Sequence, residues 1–273
     1  MMILKKKVLW FIVYGTLITL VFLYLLFPGE LVKSKVEESI NSGDLIIKSA
    51  SLSLALPLGI KLKNVTLSSQ ALESVIFQGD LLDLQLSLLS IFRKNTYIGF
   101  SGLAYQGSFD GRAGFVSSNK AYPPAEVILN FENIDIGKYS FLKGDLVKAL
   151  TGRASGKLTY IADEATRNSS GTLTLFFKNG SYPLPEPFLG VTRIDFDRGE
   201  IQAQLKNGIL KVEKIETFGQ QVNCLLKGEI IQAADFKNSQ LNLNGTIEIS
   251  GKSKAQVKVT ISGTLANPQL RYI

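Results

Sequence analysis

Residues 201–215 read IQAQLKNGILKVEKI. Ile201, Ala203 and Leu205 alternate with polar residues, Asn207-Gly208 follows, and a second apolar run begins at Ile209. Successive side chains of a strand point to opposite faces, so a period of two describes a strand with one apolar and one polar side. An Asn-Gly pair between two such runs suits the positive φ angles of a tight hairpin turn. The stretch therefore predicts two antiparallel strands.

The same period recurs from Asp44 onward. Leu52, Leu54 and Leu56 alternate with Ser and Ala, and Ile60 and Leu62 with lysines. Leu82, Leu84, Leu86 and Leu88 alternate with Asp83, Gln85 and Ser87. The pattern returns in Val127, Leu129 and Phe131, in Leu241 and Leu243, and in Val257, Val259 and Ile261. One-sided alternation belongs to antiparallel sheet, whereas buried parallel strands read as continuous apolar runs. Steps of Gly-x-Leu or Gly-x-Ile begin at Gly156, Gly171, Gly228, Gly245 and Gly263. They are read as turns and bulges in a loose succession of hairpins. The expected class is all-β.

Two stretches interrupt the pattern. Asn133 to Leu150 loses the period, predicts a short helix near Asp145–Leu150, and places a seam near 133–150. Ser181 to Phe188 carries prolines at 183, 185 and 187, which predicts an extended segment unable to donate to a central ladder. No long linker separates the flanking sections, so residues 44–273 are expected to form one β domain.

The N-terminus is of another kind. Val8 to Phe27 reads VLWFIVYGTLITLVFLYLLF, without a charge. At 1.5 Å per residue such a run spans a hydrocarbon core of about 30 Å, which predicts a transmembrane helix over 8–27 bounded by Val8 and Phe27, with Trp10 near its end as an interfacial aromatic. A cleaved signal peptide competes, with the same lysines as its basic region. The run exceeds the usual signal core, and its exit, Phe27-Pro28-Gly29-Glu30, offers no small-x-small cleavage site. Lys5, Lys6 and Lys7 hold the tip 1–7 in the cytoplasm by the positive-inside rule and send the remainder across. Leu31, Val32, Val36 and Ile40 then recur at helical spacing, predicting a juxtamembrane helix over 28–43 with Gly43 as C-cap.

Composition removes several chemistries. There is no histidine and one cysteine, so His-based catalysis, His-ligated zinc, an internal disulfide and a CxxC pair are excluded. The net charge is +7 from 30 Lys+Arg and 23 Asp+Glu. Without the three anchor lysines the balance is too weak and dispersed to argue for nucleic acid. Asp195 and Asp197 fall on one face of a strand without further ligands nearby, Asp80 and Asp83 face opposite sides, and Cys224 reads as a small strand hydrophobe. Lys252, Lys254 and Lys258 share one parity, a solvated strip or a contact for lipid phosphates. No Walker, Rossmann or nucleophile-elbow motif appears. No catalytic, metal or cofactor site is expected, and the chain reads as non-enzymatic.

The N-terminal anchor, the step LPLGIKLKNVTL at 56–67, the Gly-x-Leu steps and the ending SGTLANPQL at 262–270 together resemble the type II secretion system protein N family in its shorter, divergent form. The signatures are shared with the related AsmA and TamB-like proteins. The resemblance implies a bacterial inner-membrane protein with a periplasmic β domain, acting by contact in protein secretion. Other platform proteins and the outer-membrane secretin are the implied partners. Its AsmA side implies a curved antiparallel sheet that holds phospholipid. A closed, side-chain-filled sandwich would fit the first activity. A groove lined by Leu82, Leu84, Leu86, Leu241 and Leu243 would fit the second. An exported β enzyme would need carboxylates gathered from distant strands.

Overall fold

The computed structural model describes residues 10–272 apart from 12, 16–17, 20, 23–25, 42–44, 56–58, 71–73, 88–94, 117–123, 140–149, 164–167, 189–190, 221, 234–237 and 250–254. Lys5, Lys6, Lys7, Val8, Tyr24, Gly43, Leu56, Leu88, Lys252, Lys254 and all but the last residue of the expected 145–150 helix lie outside the described residues.

A helix, α1 (Gly29–Ile40), leads into the strands. It is the helix expected over 28–43, and it ends at Ile40, before Gly43. The first strands are β1 (Leu45–Lys48), β2 (Ser51–Ala55), β3 (Gly59–Ser69), β4 (Ser74–Leu86), β5 (Asn95–Ala104), β6 (Gly107–Val116), β7 (Glu126–Asp135) and β8 (Thr151–Asp163). After them come β9 (Asn168–Phe188), β10 (Val191–Lys206), β11 (Ile209–Phe218), β12 (Val222–Ile231), β13 (Gln240–Ile249), β14 (Ala255–Thr264) and β15 (Pro268–Tyr272). A 3-10 turn at Ile136–Lys138 follows β7, its first N–H groups engaged by Asp135, whose carboxylate accepts from Gly137 N–H at 3.1 Å.

All fifteen strands form one antiparallel sheet in chain order, except that β1 and β2 lie end to end along the same side of β3. The chain is thus an all-β meander, as the period of two predicts. β7 pairs β8 directly, so the ladder runs unbroken past 133–150. Asn207 (φ 53°) and Gly208 (φ 76°) make the β10–β11 turn, both on the positive side that a type I′ hairpin demands.

One expectation is corrected in part and one holds. Gly156, Gly171 and Gly245 lie inside strands β8, β9 and β13, whereas Gly228 faces an irregularity of β11 and Gly263 (φ 91°) borders the β14–β15 turn. The proline segment 183–187 extends strand β9 outside a central ladder, as expected: of it only Pro183 is in register with β10. It is tolerated because β8 reaches only to Ser181, so the missing N–H groups beyond that point face no second neighbour.

Among the described residues no helix is long and apolar enough to cross a membrane. Trp10, Phe11, Val13, Tyr14, Gly15, Ile18, Thr19, Val21 and Phe22 do have helical backbone, and the Thr19 hydroxyl donates to Gly15 O at 2.8 Å, a side-chain bond that threonine makes to the preceding turn of a helix.

Candidate functional site: the apolar face of the sheet

Residues directly opposed across neighbouring strands share a face. One such row runs Leu52, Leu62, Leu82, Gly102, Phe109 and Phe131 across β2 to β7. It continues through Gly156, Leu175, Ile201 and Ile215, then Leu226, Gly245, Val259 and Tyr272. A parallel row carries Leu84, Phe100, Gly111 and Leu129 at one end and Leu243, Ile261 and Leu270 at the other. A third links Leu86, Ile98, Ala113 and Val127, and later Ile230 and Leu241. None of these residues is charged.

The rows stay on one face because of a bulge. Ile201 opposes Ile215 and Ala203 opposes Val212, so β11 has one extra residue, and Val212 and Ile215 still point the same way. Strand spacing of about 4.8 Å makes the face roughly 60 Å long from β1 to β15.

The opposite face is polar. Lys61, Asp83, Ser101, Asp110, Asn130 and Lys157 form one of its rows. Lys61 pairs with Asp83 at 3.6 Å, Asn130 donates to Asp110 at 3.0 Å, and Arg112 meets Glu126 at 2.9 Å. Lys214 bridges Glu200 at 2.7 Å and Glu216 at 2.8 Å. Hydrogen bonds from Lys214 and then Gln202 hold the Glu200 carboxyl below its ordinary range, while Glu200 and Glu216 raise the Lys214 ammonium.

Burial along the apolar face is uneven. Leu52, Leu62 and Val65 form a buried cluster at one end, joined by Leu82 and Leu84 and covered by Phe27 and Val32. Val212, Leu241 and Leu243 form another towards the far end, with Ile215, Ile230, Ile261 and Leu265 around it. Between them Phe100, Phe109, Leu129, Phe131, Leu158, Leu173, Leu175 and Ile201 are only half-buried. Every described strand belongs to this one sheet, so among the described residues no second layer lies over that middle. Leu82, Leu84, Leu86, Leu241 and Leu243 thus share a face but not a neighbourhood. The first two belong to one cluster, the last two to the other, and Leu86 is 47% exposed.

An aromatic feature stands in the middle. Phe100-Ser101-Gly102 on β5 and Phe109-Asp110-Gly111 on β6 are antiparallel, so each phenylalanine opposes the other strand's glycine. A Cβ at Gly102 would stand 2.7 Å from the Phe109 ring tip, and one at Gly111 2.6 Å from that of Phe100. The rings therefore lie down over the glycines, an arrangement that shields glycine backbone within a sheet. Phe77 meets the Phe109 ring edge-on at 5.5 Å. Tyr105 and Tyr139 extend the group, their rings 5.3 Å apart, and the Tyr105 hydroxyl accepts from Gln78 N–H at 2.7 Å. Burial raises both phenols. Sequence reading missed this, although the repeated Phe-x-Gly at 100–102 and 109–111 is its visible signal.

The other candidates do not assemble into a site. Asp195 is held below its usual range by a hydrogen bond from Ser181 and by Arg193, whose Nε lies 2.9 Å away, and it is exposed. No group of three potential metal ligands occurs among the described residues. Burial pushes the Cys224 thiol up to about 11, the opposite of what a nucleophile needs. Lys258 stands exposed on β14 opposite Thr246 of the polar row.

Comparison with protein-family models, with curated proteins and with solved structures gives no match to this chain.

Proposed function

We propose that this chain is a membrane-anchored protein of a bacterial envelope whose sheet holds lipid acyl chains along its apolar face. The observation that carries the proposal is the run of uncharged rows from β2 to β15, half-buried in its middle and covered there by no second layer among the described residues. An apolar face of that extent needs a cover, and alkyl chains supply one without unpaired polar groups. A leaflet contributes about 15 Å of hydrocarbon, so a face of roughly 60 Å accommodates several chains in file. The anchor of this proposal is the apolar run from Val8 up to Leu26, supported by the outward exposure of Trp10 (74%), Phe11 (76%) and Leu26 (74%); Phe27, expected to bound it, packs on the sheet instead. The lysines at 5–7 orient it with the sheet in the periplasm.

A second reading, contact within a type II secretion apparatus, has its own support. The ending that carries the family resemblance folds as the β14–β15 hairpin, and all five residues of β15 are exposed. The edge beyond β15, next to which no other described strand lies, suits pairing with a platform protein.

The test places a photoreactive phenylalanine at Leu129, on the apolar face, or at Ile128, on the polar one, in the full chain in membranes. Phospholipid adducts at 129 and none at 128 are expected. Protein adducts alone at 129 would refute lipid holding and leave the secretion reading.

A further inference from the structure

The apolar face is closed at the end nearest the N-terminal segment. Phe27 and Val32 pack on Leu52, Leu62 and Val65, the cluster that Leu82 joins. Side chains of α1 fasten it to the chain between and along β1 and β2. Lys33 Nζ donates to Ala50 O at 3.3 Å, and Glu37 Oε1 accepts from Ser49 N–H at 2.9 Å and from its hydroxyl at 3.1 Å. Asn41 Oδ1, just beyond the helix, accepts from Ile47 N–H at 2.8 Å. The approach is close enough that a Cβ at Gly29 would stand 2.6 Å from Leu52 O.

We infer that α1 is a displaceable cover over the loading end of the groove, and that an acyl chain enters by replacing Phe27 and Val32 on Leu52, Leu62 and Leu82. This rests on the lipid-holding proposal and adds where the cargo enters. The exchange is chemically even: alkyl surface leaves the cluster and alkyl surface takes its place. The polar fastenings are few and at most half-buried, so α1 belongs to the part of the fold that opens most readily. Leu26, Phe27 and Pro28 are non-helical between the N-terminal segment and α1, which lets Phe27 and α1 swing together while that segment stays in place. Leu31, on the side turned from the sheet, is 70% exposed, so a released α1 carries apolar groups suited to lie on the membrane surface.

The test uses the full chain in liposomes of phosphatidylethanolamine and phosphatidylglycerol containing a phospholipid with a photoreactive tail. Lys33→Cys with Ala50→Cys, in a Cys224→Ala background, is bridged by a short reducible bismaleimide to hold α1 down. Bridging should cut adducts on β6 to β14 about tenfold by removing the open population, and reduction should restore them. Gly29→Val, which wedges α1 from β2, should raise them, and Glu37→Ala does the same without a steric change. Adducts on β6 to β14 that persist equally in the bridged protein overturn the inference and leave the lipid proposal standing. No adducts on the sheet in any form overturn both.

Discussion

Leu86 and Leu243 lie on the same face, yet changing each to aspartate should have opposite consequences. Leu243 is 5% exposed within the Val212 and Leu241 cluster, whereas Leu86 is 47% exposed at the end of β4. Removing a buried leucine side chain costs about 2–5 kcal/mol through lost transfer energy and cavity formation. An unpaired carboxylate placed there adds a further few kcal/mol or is driven neutral. At Leu86 about half the side chain is already in water, so the loss is on the order of 1 kcal/mol. The gap of roughly 3 kcal/mol corresponds to more than a hundredfold in the unfolding equilibrium. Urea unfolding followed by far-ultraviolet circular dichroism measures it, because the single tryptophan, Trp10, lies outside the sheet. Leu86→Asp should keep the fold and lose photoreactive lipid at neighbouring Ile98 and Ala113. If it costs as much as Leu243→Asp, the β4 end of the face is a packed core and the groove argument fails there.

Gly102→Ala should destabilise by about 1–3 kcal/mol, because its Cβ would meet first the backbone oxygen of Leu81 and then the Phe109 ring; Phe109→Leu should recover only the ring's share in a double-mutant cycle, and full additivity would contradict the ring-over-glycine arrangement. Cys224 should react with iodoacetamide at neutral pH roughly 100-fold more slowly folded than unfolded, since its thiol moves from 9.0 to about 11; equal rates would mean an open thiol. Lys214→Met should lower stability most near neutral pH. Glu200, depressed in the fold, contributes above its ordinary 4.5 and loses that contribution as pH falls through its folded value; Lys214, raised, contributes below 10.5 and loses its share as pH rises through its folded value. Denaturation midpoints of the variant and the parent should therefore converge at both extremes and in high salt.

The alternation around Ile201, Leu82 and Leu243 was enough to assign strands and faces, because the pleat imposes its period regardless of what lies across the ladder. The Asn207-Gly208 turn was equally readable, since its conformation is local. Gly228 and Gly263 do mark an irregularity and a turn, whereas Gly156, Gly171 and Gly245, expected at turns or bulges, lie inside strands. Glycine has no side chain to declare a face, and only the opposed residues reveal that these positions complete the apolar rows. Pro183 to Pro187 are legible as an extended stretch outside a central ladder, though not as the end of β9. Whether a proline breaks a ladder depends on how far the neighbouring strand extends, and β8 stops at Ser181. The mixed charges Glu30, Glu37, Glu38, Lys33 and Lys35 already favour α1 packing over the end of the β domain, but that it covers Leu52 and Leu62 depends on tertiary contact that helical spacing alone does not specify. The polar clasp through Glu37 and Ser49 is legible only once β1 and β2 are placed.

The meander has a consequence for how the chain acquires its shape. Almost every strand pairs with the one made just before it, so each new hairpin closes a short loop and settles on an edge that already exists. Loops of that kind carry small closure entropy, and a fold dominated by them assembles quickly despite being all-β. A chain emerging with its N-terminus first can therefore lengthen its sheet strand by strand, in the manner of a repeat array, without waiting for its last residues. The same locality confines damage: fraying should start at β15 and travel inward, sparing β3 to β8 until late.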